Sequence, residues 1–475
     1  MRKLIAVCCA LVLALGVGAA YYLQAPTDAA LREMARENPV NPRPTVALAG
    51  SPSLLGEMVR AQQAQGRTVG FLLGSSELSY GAEDSAHPVR FFSENDLGFD
   101  LISMGGGGYQ SLWGAIEVSA LDECGALPEK KVAFLIGDQW FMNEAGCTPE
   151  AFLNSFSEEA FCECMENPGL SVETKAQIRE RVIALGVDAQ TVSDLASDSI
   201  VGRANRAVSD FVSGSERRAL LAEGLASNGR LERDGASVVG PDWDALDRRA
   251  VEEGKTACTN NDYGIYDEYF DTYVSDAAWG QPYEGEPFAG WSETEFGDLQ
   301  LFLTVCKELG ITPLLVIEPV NGEYYDIQRY TKESRAEFYG KLSSVLDEAE
   351  VDYLDLSGHD YDKYYLRDVM HLGWKGWVEV DRALCEFYGG GESDRYGSSA
   401  ADEVIPRRRV GVGAAPPMRF ALGRMSVERR LQRRMPRLLP TKCWKWKVPG
   451  KRSWKTRGLL HEVAGENAML VGRAP

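Results

Sequence analysis

The sequence predicts an α/β fold in which a parallel sheet is flanked by helices. Three observations favour it: short apolar runs recur through residues 67–388, helical stretches separate them, and glycine or polar turns end them. Apolar runs that alternate with helices are typical of parallel strands buried on both faces. In such sheets the functional residues collect at the carboxyl ends of the strands.

Each element of this fold corresponds to a particular segment. The strands are predicted at residues 68–73, 99–104, 131–137, 312–317 and 351–356. Helices are predicted at residues 109–122, 292–309 and 334–349. Between about residues 150 and 256 the pattern is helical, with charged segments at 174–185 and 215–226 and no strand pattern. We expect this stretch to be a helical insertion that caps the sheet of a domain spanning residues 67–388.

The N-terminal segment predicts a membrane anchor. After Met1-Arg2-Lys3 the chain has no charged residue up to residue 23, which is long enough to span a bilayer as a helix. A cleaved signal peptide is the alternative, because Gly18-Ala19-Ala20 offers small residues near a possible cut. In both cases the remainder is exported; as an anchor, residues 1–23 predict a single-pass protein of the cell membrane with an extracellular domain. Residues 24–66, helical and proline-rich, are expected to form a stalk.

The charge of the chain reverses near residue 389. Residues 391–475 carry 19 Lys and Arg against 7 Asp and Glu, a net charge of about +12, whereas the whole chain is at −20. Five prolines between residues 416 and 449, together with the lack of an amphipathic period, predict that residues 389–475 are mostly unfolded. Binding to an anionic lipid or cell-wall polymer, a solvated extension, and translation past a frameshift are alternative explanations of this tail. No nucleic-acid partner is expected.

The cysteines are expected to form disulfides in the oxidising compartment that export implies, rather than a metal site. Eight of the ten lie outside the apolar N-terminal segment, and we expect some of them to pair. None of their spacings matches a zinc site, since Cys162 and Cys164 are only one residue apart. We therefore expect no metal and no cofactor.

Two segments nearly three hundred residues apart supply a serine, a histidine and an aspartate. Gly74-Ser75-Ser76-Glu77 follows the first predicted strand, and we expect this turn to lead into a helix that exposes a serine hydroxyl. The chain has only four histidines, and His371 has an acid, Asp368, three residues before it on a plausible loop-to-helix turn. The alternatives are that the serines cap a helix and that the histidine packs beside nearby tryptophans.

A run of four glycines and a group of basic residues lie close to these segments in the predicted fold. The glycines, of which Gly106 and Gly107 are the central pair, follow the second strand and let backbone N–H groups approach an oxyanion. Lys363, Arg367 and Lys375 flank the histidine; they either offset the negative charge of the acidic domain toward an anionic substrate or are ordinary surface residues. Together these features favour a serine hydrolase or acyltransferase.

Several motifs, in this order along about residues 1–388, resemble the DltD family of D-alanyl-lipoteichoic acid biosynthesis proteins. They are Gly74-Ser75-Ser76-Glu77-Leu78, His87-Pro88, Phe91-Phe92, Gly137-Asp138-Gln139-Trp140-Phe141, Asn260-Asn261-Asp262-Tyr263-Gly264-Ile265, Pro319-Val320-Asn321-Gly322 and Asp368-Val369-Met370-His371-Leu372-Gly373-Trp374-Lys375-Gly376-Trp377. The last motif is the most specific. Gly137-Asp138 departs from the family, which has Ser-Pro before Gln-Trp-Phe, and the basic tail has no counterpart in it.

The resemblance implies an SGNH-hydrolase-like fold with Ser76 as the nucleophile, His371 as the base and Asp368 as the acid that orients it. Ser75 is then a turn residue. It also implies a serine-dependent, thioesterase-like acyltransferase that attaches D-alanine to teichoic acid, with the acyl donor delivered by membrane proteins of the same pathway. The alternatives are an exported SGNH esterase or O-acetyltransferase acting on cell-wall glycan, and a non-catalytic scaffold that binds teichoic acid.

Overall fold

Five parallel strands form one sheet in the described part of the chain. The computed structural model describes residues 25–37, 42–196, 200–227, 240–274 and 288–389. The strands are β1 (Thr68–Gly74), β2 (Phe99–Gly105), β3 (Lys131–Ile136), β4 (Thr312–Ile317) and β5 (Asp352–Asp355). Their order in the sheet is β2-β1-β3-β4-β5, and every neighbouring pair is parallel. The predicted α/β class with a parallel sheet is confirmed.

Alternation of side chains along the strands divides the apolar residues of the sheet between two clusters, one on each face. In β1, Phe71 and Leu73 belong to the first cluster, whereas Leu72 belongs to the second. In β3, Phe134 and Leu135 are divided in the same way. Successive side chains of a strand point to opposite faces, so a strand that is apolar at every position requires cover on both sides.

Helices supply this cover. They are α1 (Asp28–Glu37), α2 (Val46–Ala49), α3 (Pro52–Gln63), α4 (Pro88–Glu94), α5 (Ser111–Glu123), α6 (Pro149–Ser155), α7 (Glu158–Glu166), α8 (Val172–Ala184), α9 (Ala189–Leu195), α10 (Ile200–Ala226), α11 (Trp243–Ala257), α12 (Asp267–Tyr273), α13 (Glu293–Leu309), α14 (Gly322–Asp326), α15 (Lys332–Glu348) and α16 (Trp374–Tyr388). Buried side chains of α5 and α13 join the first cluster, and those of α4 and α16 join the second.

The helices before β1 are part of the folded body. In α3 the side chains of Leu54, Leu55, Met58 and Val59 are buried in the first cluster, and Leu31 of α1 joins them. Their spacing along the sequence places them on one face of a helix, where they pack against the core. The stalk expected at residues 24–66 therefore differs from the structure over residues 52–63, because an apolar stripe of this width is stable only when it is covered.

The segment predicted as a helical insertion contains helices wherever the structure describes it, from α6 to α11. Leu221 and Leu225 of α10 and Ile178 of α8 reach the first cluster, so the helices between β3 and β4 thicken that side of the sheet. No helix in the described ranges is both long and apolar enough to cross a bilayer. The anchor predicted at residues 1–23 lies outside those ranges, as does the tail from residue 390 onward.

The last described helix returns to the first strand. The hydroxyl of Tyr388 donates to the carbonyl of Phe71 at 2.6 Å and accepts the Phe71 N–H at 3.2 Å. A Cβ on Gly70 would lie 2.8 Å from the Tyr388 ring, so only glycine permits this approach. The last described helix is thus bonded directly to the first strand.

The cysteines do not pair in the part of the chain that is described. None of the seven cysteines there is in a disulfide, and most are buried. Burial raises the pKa of the Cys147 and Cys164 thiols to about 12 in each case, so both remain protonated and unreactive at neutral pH. The expectation that some of these cysteines form disulfides is wrong for these seven, which pack as small apolar side chains instead.

Candidate active site

The serine turn follows β1 at the carboxyl edge of the sheet. The chain leaves β1 at Gly74, and residues Ser76–Leu78 form a single 3₁₀ turn rather than the expected helix. The carboxylate of Glu77 folds back to accept the N–H of Ser75, and Gly81, with a φ of 75°, then redirects the chain. A Cβ on Gly74 would lie 2.5 Å from Glu77 Oε1, so this tight turn needs glycine.

The histidine lies on a short loop that closes on itself before α16. Leu366 and Leu372 pair as an isolated antiparallel bridge, and the N–H of Arg367 donates to the carbonyl of His371 at 2.9 Å. Inside the loop, Asp368 Oδ1 accepts the backbone N–H groups of Met370 at 2.8 Å and His371 at 2.9 Å. These bonds fix the position of the carboxylate on one side of the imidazole.

Ser76, His371 and Asp368 form one hydrogen-bonded chain. Ser76 Oγ lies 2.9 Å from His371 Nε2, and His371 Nδ1 lies 2.6 Å from Asp368 Oδ2. Since the Asp368 carboxylate is ionised and can only accept, His371 Nδ1 carries the proton and Nε2 is free to accept one from Ser76. Two segments 295 residues apart in sequence therefore meet with the geometry of a nucleophile, a base and an orienting acid.

The pKa shifts of Asp368 and His371 agree with this hydrogen-bonded arrangement. Burial alone would raise the pKa of Asp368, but His371 and the two backbone N–H groups lower it below its usual value. Burial likewise lowers the pKa of His371, but the charge and hydrogen bond of Asp368, with a contribution from Glu77, raise it above its usual value. A buried carboxylate that stabilises the imidazolium is what a general base requires at the moment it takes a proton.

The glycine run lies beside the serine turn. Ser75 Oγ donates to the carbonyl of Gly106 at 3.2 Å, and a Cβ on Gly105 would lie 2.6 Å from the carbonyl oxygen of Ser75. A Cβ on Gly107 would meet no atom within 4 Å, so that position is open. The structure thus brings Gly106 into contact with Ser75, the residue before Ser76. An oxyanion role for Gly106 and Gly107 stays a prediction.

Three further buried acids surround this edge of the sheet, and the sequence analysis gave them no role. Glu77 follows Ser76, Glu318 follows β4, and Asp138 follows β3. Burial raises the pKa of all three; that of Asp138 reaches about 8, and that of Glu318 is raised further by Glu77 and its acidic neighbours. Neither carboxyl oxygen of Glu318 has a hydrogen-bond partner among the described residues. Each of these acids lies within three residues of the end of a strand, and that position is how the sequence could have indicated that they belong to the site.

The basic residues near the histidine divide into two kinds. Lys363 is exposed, and the ammonium of Lys375 lies 4.6 Å from the centre of the Tyr365 ring. The guanidinium of Arg367, by contrast, is only 7% exposed and forms ion pairs with Glu83 and Asp84. Arg367 is therefore neither a surface residue nor a cation available to a phosphate polymer, because its charge is already neutralised within the protein.

Two ring side chains near the serine turn complete the site. The ring of Tyr80 lies 5.2 Å from that of His371, centre to centre, so a side chain four residues after Ser76 packs against the base. The buried His87 is a separate histidine: its Nε2 lies 3.2 Å from the carbonyl of Glu77, and its ring packs 4.9 Å from that of Trp377. The sequence analysis quoted His87 as part of a motif without giving it a role.

Comparisons with known proteins agree on one family. A family model described as DltD protein matches residues 50–389. The chain is 30% identical to Protein DltD of Bacillus subtilis (strain 168) over 359 residues, covering 72% of this chain and 88% of the relative. It is 27% identical to Protein DltD of Staphylococcus aureus over 323 residues, covering 66% of this chain and 80% of the relative. It is 24% identical to Protein DltD of Lacticaseibacillus rhamnosus over 351 residues, covering 70% of this chain and 80% of the relative.

Proposed function

The chain belongs to the DltD family, and on this premise we propose that it attaches D-alanine esters to teichoic acid through an acyl-enzyme formed on Ser76. The observation that carries the proposal is the hydrogen-bonded chain from Ser76 Oγ through His371 to Asp368. A serine held 2.9 Å from a neutral imidazole nitrogen is poised to lose its proton as it attacks a carbonyl.

In the first half of the reaction His371 Nε2 takes the proton of Ser76, and Ser76 Oγ attacks the D-alanyl carbonyl carbon. The carbonyl oxygen becomes an oxyanion, for which the N–H of Ser76 and one N–H of Gly106 or Gly107 are the proposed donors. When the bond to the donor breaks, the imidazolium returns its proton to the leaving thiol or hydroxyl group. The products are the D-alanyl ester of Ser76 and the free donor.

In the second half a hydroxyl of the polymer replaces the donor. His371 Nε2 takes the hydroxyl proton as its oxygen attacks the acyl-serine carbonyl, and the collapsing intermediate releases Ser76, which recovers the proton from the imidazolium. Asp368 keeps the imidazole in the required tautomer and stabilises its charge in both halves. The steps need no metal and no cofactor, because the serine ester carries the acyl group.

The sheet order supports an SGNH-hydrolase-like assignment for this site. In a β2-β1-β3-β4-β5 sheet the connection that leaves β1 runs to β2 on one side and the connection that leaves β3 runs to β4 on the other, so a crevice opens at the carboxyl ends of β1 and β3. Ser76 follows β1 and the glycine run follows β2, which places both at this edge. Ser76 is half-buried rather than enclosed, and we propose that the acceptor, a polymer hydroxyl, reaches it from that side.

The proposed setting is the outer surface of the cell membrane. Residues 1–23 are the proposed single-pass anchor, and the folded domain then lies outside, where the acceptor polymer is. Membrane proteins of the same pathway are the proposed source of the acyl donor. Family membership supports this setting, together with the uncharged N-terminal segment.

Two paired variants test the proposal in the full-length protein. Ser76→Ala should lose labelling by a fluorophosphonate probe, while Ser75→Ala should retain it, because only Ser76 contacts the base. In a strain lacking the chromosomal copy, Ser75→Ala should restore D-alanine esters on teichoic acid and Ser76→Ala should not. Normal ester content with Ser76→Ala would refute the acyl-serine and favour a non-catalytic scaffold. Labelling without any effect on D-alanine would favour a glycan esterase or O-acetyltransferase.

A further inference from the structure

Arg367 contacts both halves of the site at once. Its guanidinium lies 2.5 Å from Asp84 and 2.6 Å from Glu83, on the segment that follows the serine turn. Its backbone N–H closes the loop that carries His371, and its carbonyl accepts the N–H of Tyr266 at 2.9 Å. One side chain therefore joins the segment after Ser76 to the loop of the base.

Tyr80 makes this connection continuous with the imidazole. The Arg367 guanidinium lies 5.2 Å from the centre of the Tyr80 ring, and the Tyr80 ring lies 5.2 Å from that of His371. Tyr80 is thus placed between the guanidinium and the base. Such contacts attract a cation to the face of a ring and hold the ring in one orientation.

The backbone of the serine segment is shaped to admit the guanidinium. Gly81 has a φ of 75°, and a Cβ there would lie 2.9 Å from Arg367 Nη1. The Asp84 side chain is 11% exposed and that of Glu83 is 70% exposed, so Asp84 forms the buried and more strongly held of the two ion pairs. A planar guanidinium can serve two carboxylates and a ring together, which a lysine ammonium cannot do.

We propose that Arg367 is a positioning residue, which holds the segment from Tyr80 to Asp84 against the His371 loop and thereby sets the distance between Ser76 Oγ and His371 Nε2. This inference rests on the proposed function of Ser76 as the nucleophile. Arg367 does not touch the reacting atoms, and its effect is on the alignment of two segments that are far apart in the sequence. Loss of this alignment slows attack by Ser76 even when the His371–Asp368 pair is intact.

The test compares Arg367→Met with a matched arginine variant, Arg382→Met, in the full-length protein. Arg382 is a suitable control because it also combines an ion pair, with Asp247, and a ring contact, with Trp243, but it lies on α16 away from the site. The readouts are the rate of fluorophosphonate labelling across pH, the thermal midpoint, and the strongly deshielded imidazole proton that a His–Asp pair shows in proton NMR.

The expected result separates alignment from folding. Arg367→Met should reduce the labelling rate by about 10²-fold, which is the scale of a misplacement of about 1 Å, and should keep the deshielded proton. Arg382→Met should label at close to the wild-type rate, whatever its thermal midpoint. Arg367→Lys, which keeps the charge but not the planar fork, should fall between wild type and Arg367→Met.

A second pair of variants covers the case in which Arg367→Met does not fold. Asp84→Asn removes the buried ionic partner of Arg367 and should also slow labelling, whereas Glu83→Gln, at the exposed partner, should have little effect. The inference is overturned if Arg367→Met or Asp84→Asn labels like wild type, or if the slow variants lose the deshielded proton. Labelling that persists in Ser76→Ala would overturn the proposed function itself, whatever the Arg367 variants show.

Discussion

Lowering the pH should destabilise the protein through His87, a histidine outside the proposed chemistry. The His87 side chain is buried, Nδ1 accepts the N–H of Val89 at 3.2 Å, and Nε2 donates to the carbonyl of Glu77 at 3.2 Å. Both ring nitrogens are therefore committed in the neutral tautomer. Protonation of Nδ1 would place two N–H groups against each other and leave a charge buried beside Trp377.

The size of the effect follows from the pKa of His87. Burial, the largest cause, lowers this pKa from 6.5 to about 4 in the folded protein, and the unfolded chain retains the ordinary value. The neutral ring therefore contributes its full stabilisation above pH 6.5, and that contribution is lost as the pH falls through about 4. Each unit by which the pKa is lowered corresponds to 1.36 kcal/mol, so the free energy of unfolding falls by about 3 kcal/mol between pH 7.5 and pH 4.

Urea unfolding followed by tryptophan fluorescence measures this loss in wild type and in His87→Gln. Glutamine keeps an N–H that can reach the Glu77 carbonyl but does not titrate, so the other acids and histidines cancel when the two proteins are subtracted. Wild type should be the more stable at pH 7.5, and its advantage should shrink by about 3 kcal/mol by pH 4. An advantage that stays constant over this range would refute the reasoning, because His87 would then not be held neutral.

Three other variants have expected outcomes. Asp368→Asn should lower the rate of Ser76 labelling by roughly 10⁴-fold without loss of fold, because an amide can stabilise the wrong tautomer of His371; a near-normal rate would contradict the proposed role. Tyr388→Phe should lower the free energy of unfolding in urea by about 2 kcal/mol, since its hydroxyl bonds both backbone groups of Phe71; an unchanged value would contradict this contact. Burial raises the pKa of Glu295 from 4.5 to about 7, so its contribution is complete below pH 4.5 and is lost as the pH rises through about 7. The free energy of unfolding of Glu295→Gln should therefore rise by about 3 kcal/mol relative to that of wild type between pH 4 and pH 8, measured by the same urea titration. No such rise would contradict the raised pKa of Glu295.

Local pattern was sufficient to predict the strands and three of the helices that pack on them, but not α4 and α16. The predicted strand at residues 312–317 coincides with β4, and the others begin or end within a residue of the observed bounds. The agreement has a physical basis, because a parallel strand buried on both faces is apolar at each position and must end where the chain leaves the core. The predicted helix at 292–309 likewise matches α13, which Ser292 caps by accepting the N–H of Glu295.

Contacts between segments that are distant along the chain could not be predicted from the sequence. Asp368 and His371 could be paired from their spacing, and the resemblance selected Ser76 over Ser75, but nothing in the one-dimensional pattern places Arg367 against Asp84. An arginine beside a catalytic loop looks the same whether it is exposed or enclosed by its partners. The three-residue turn after Ser75 was also missed, since it depends on the Glu77 carboxylate folding back onto the Ser75 N–H.

The bond from Tyr388 to Phe71 has a consequence for the order in which the protein acquires activity. It spans 317 positions, and the contact of Ser76 with His371 spans 295, so both close loops almost as long as the described domain. Closing loops of this length costs entropy that must be met by contacts already formed, so these bonds arise late in folding. A nascent chain therefore lacks the contact between Ser76 and His371, and with it the proposed acyl transfer, until the C-terminal part of the described domain has been made. Recovery of labelling on refolding should coincide with the slowest phase.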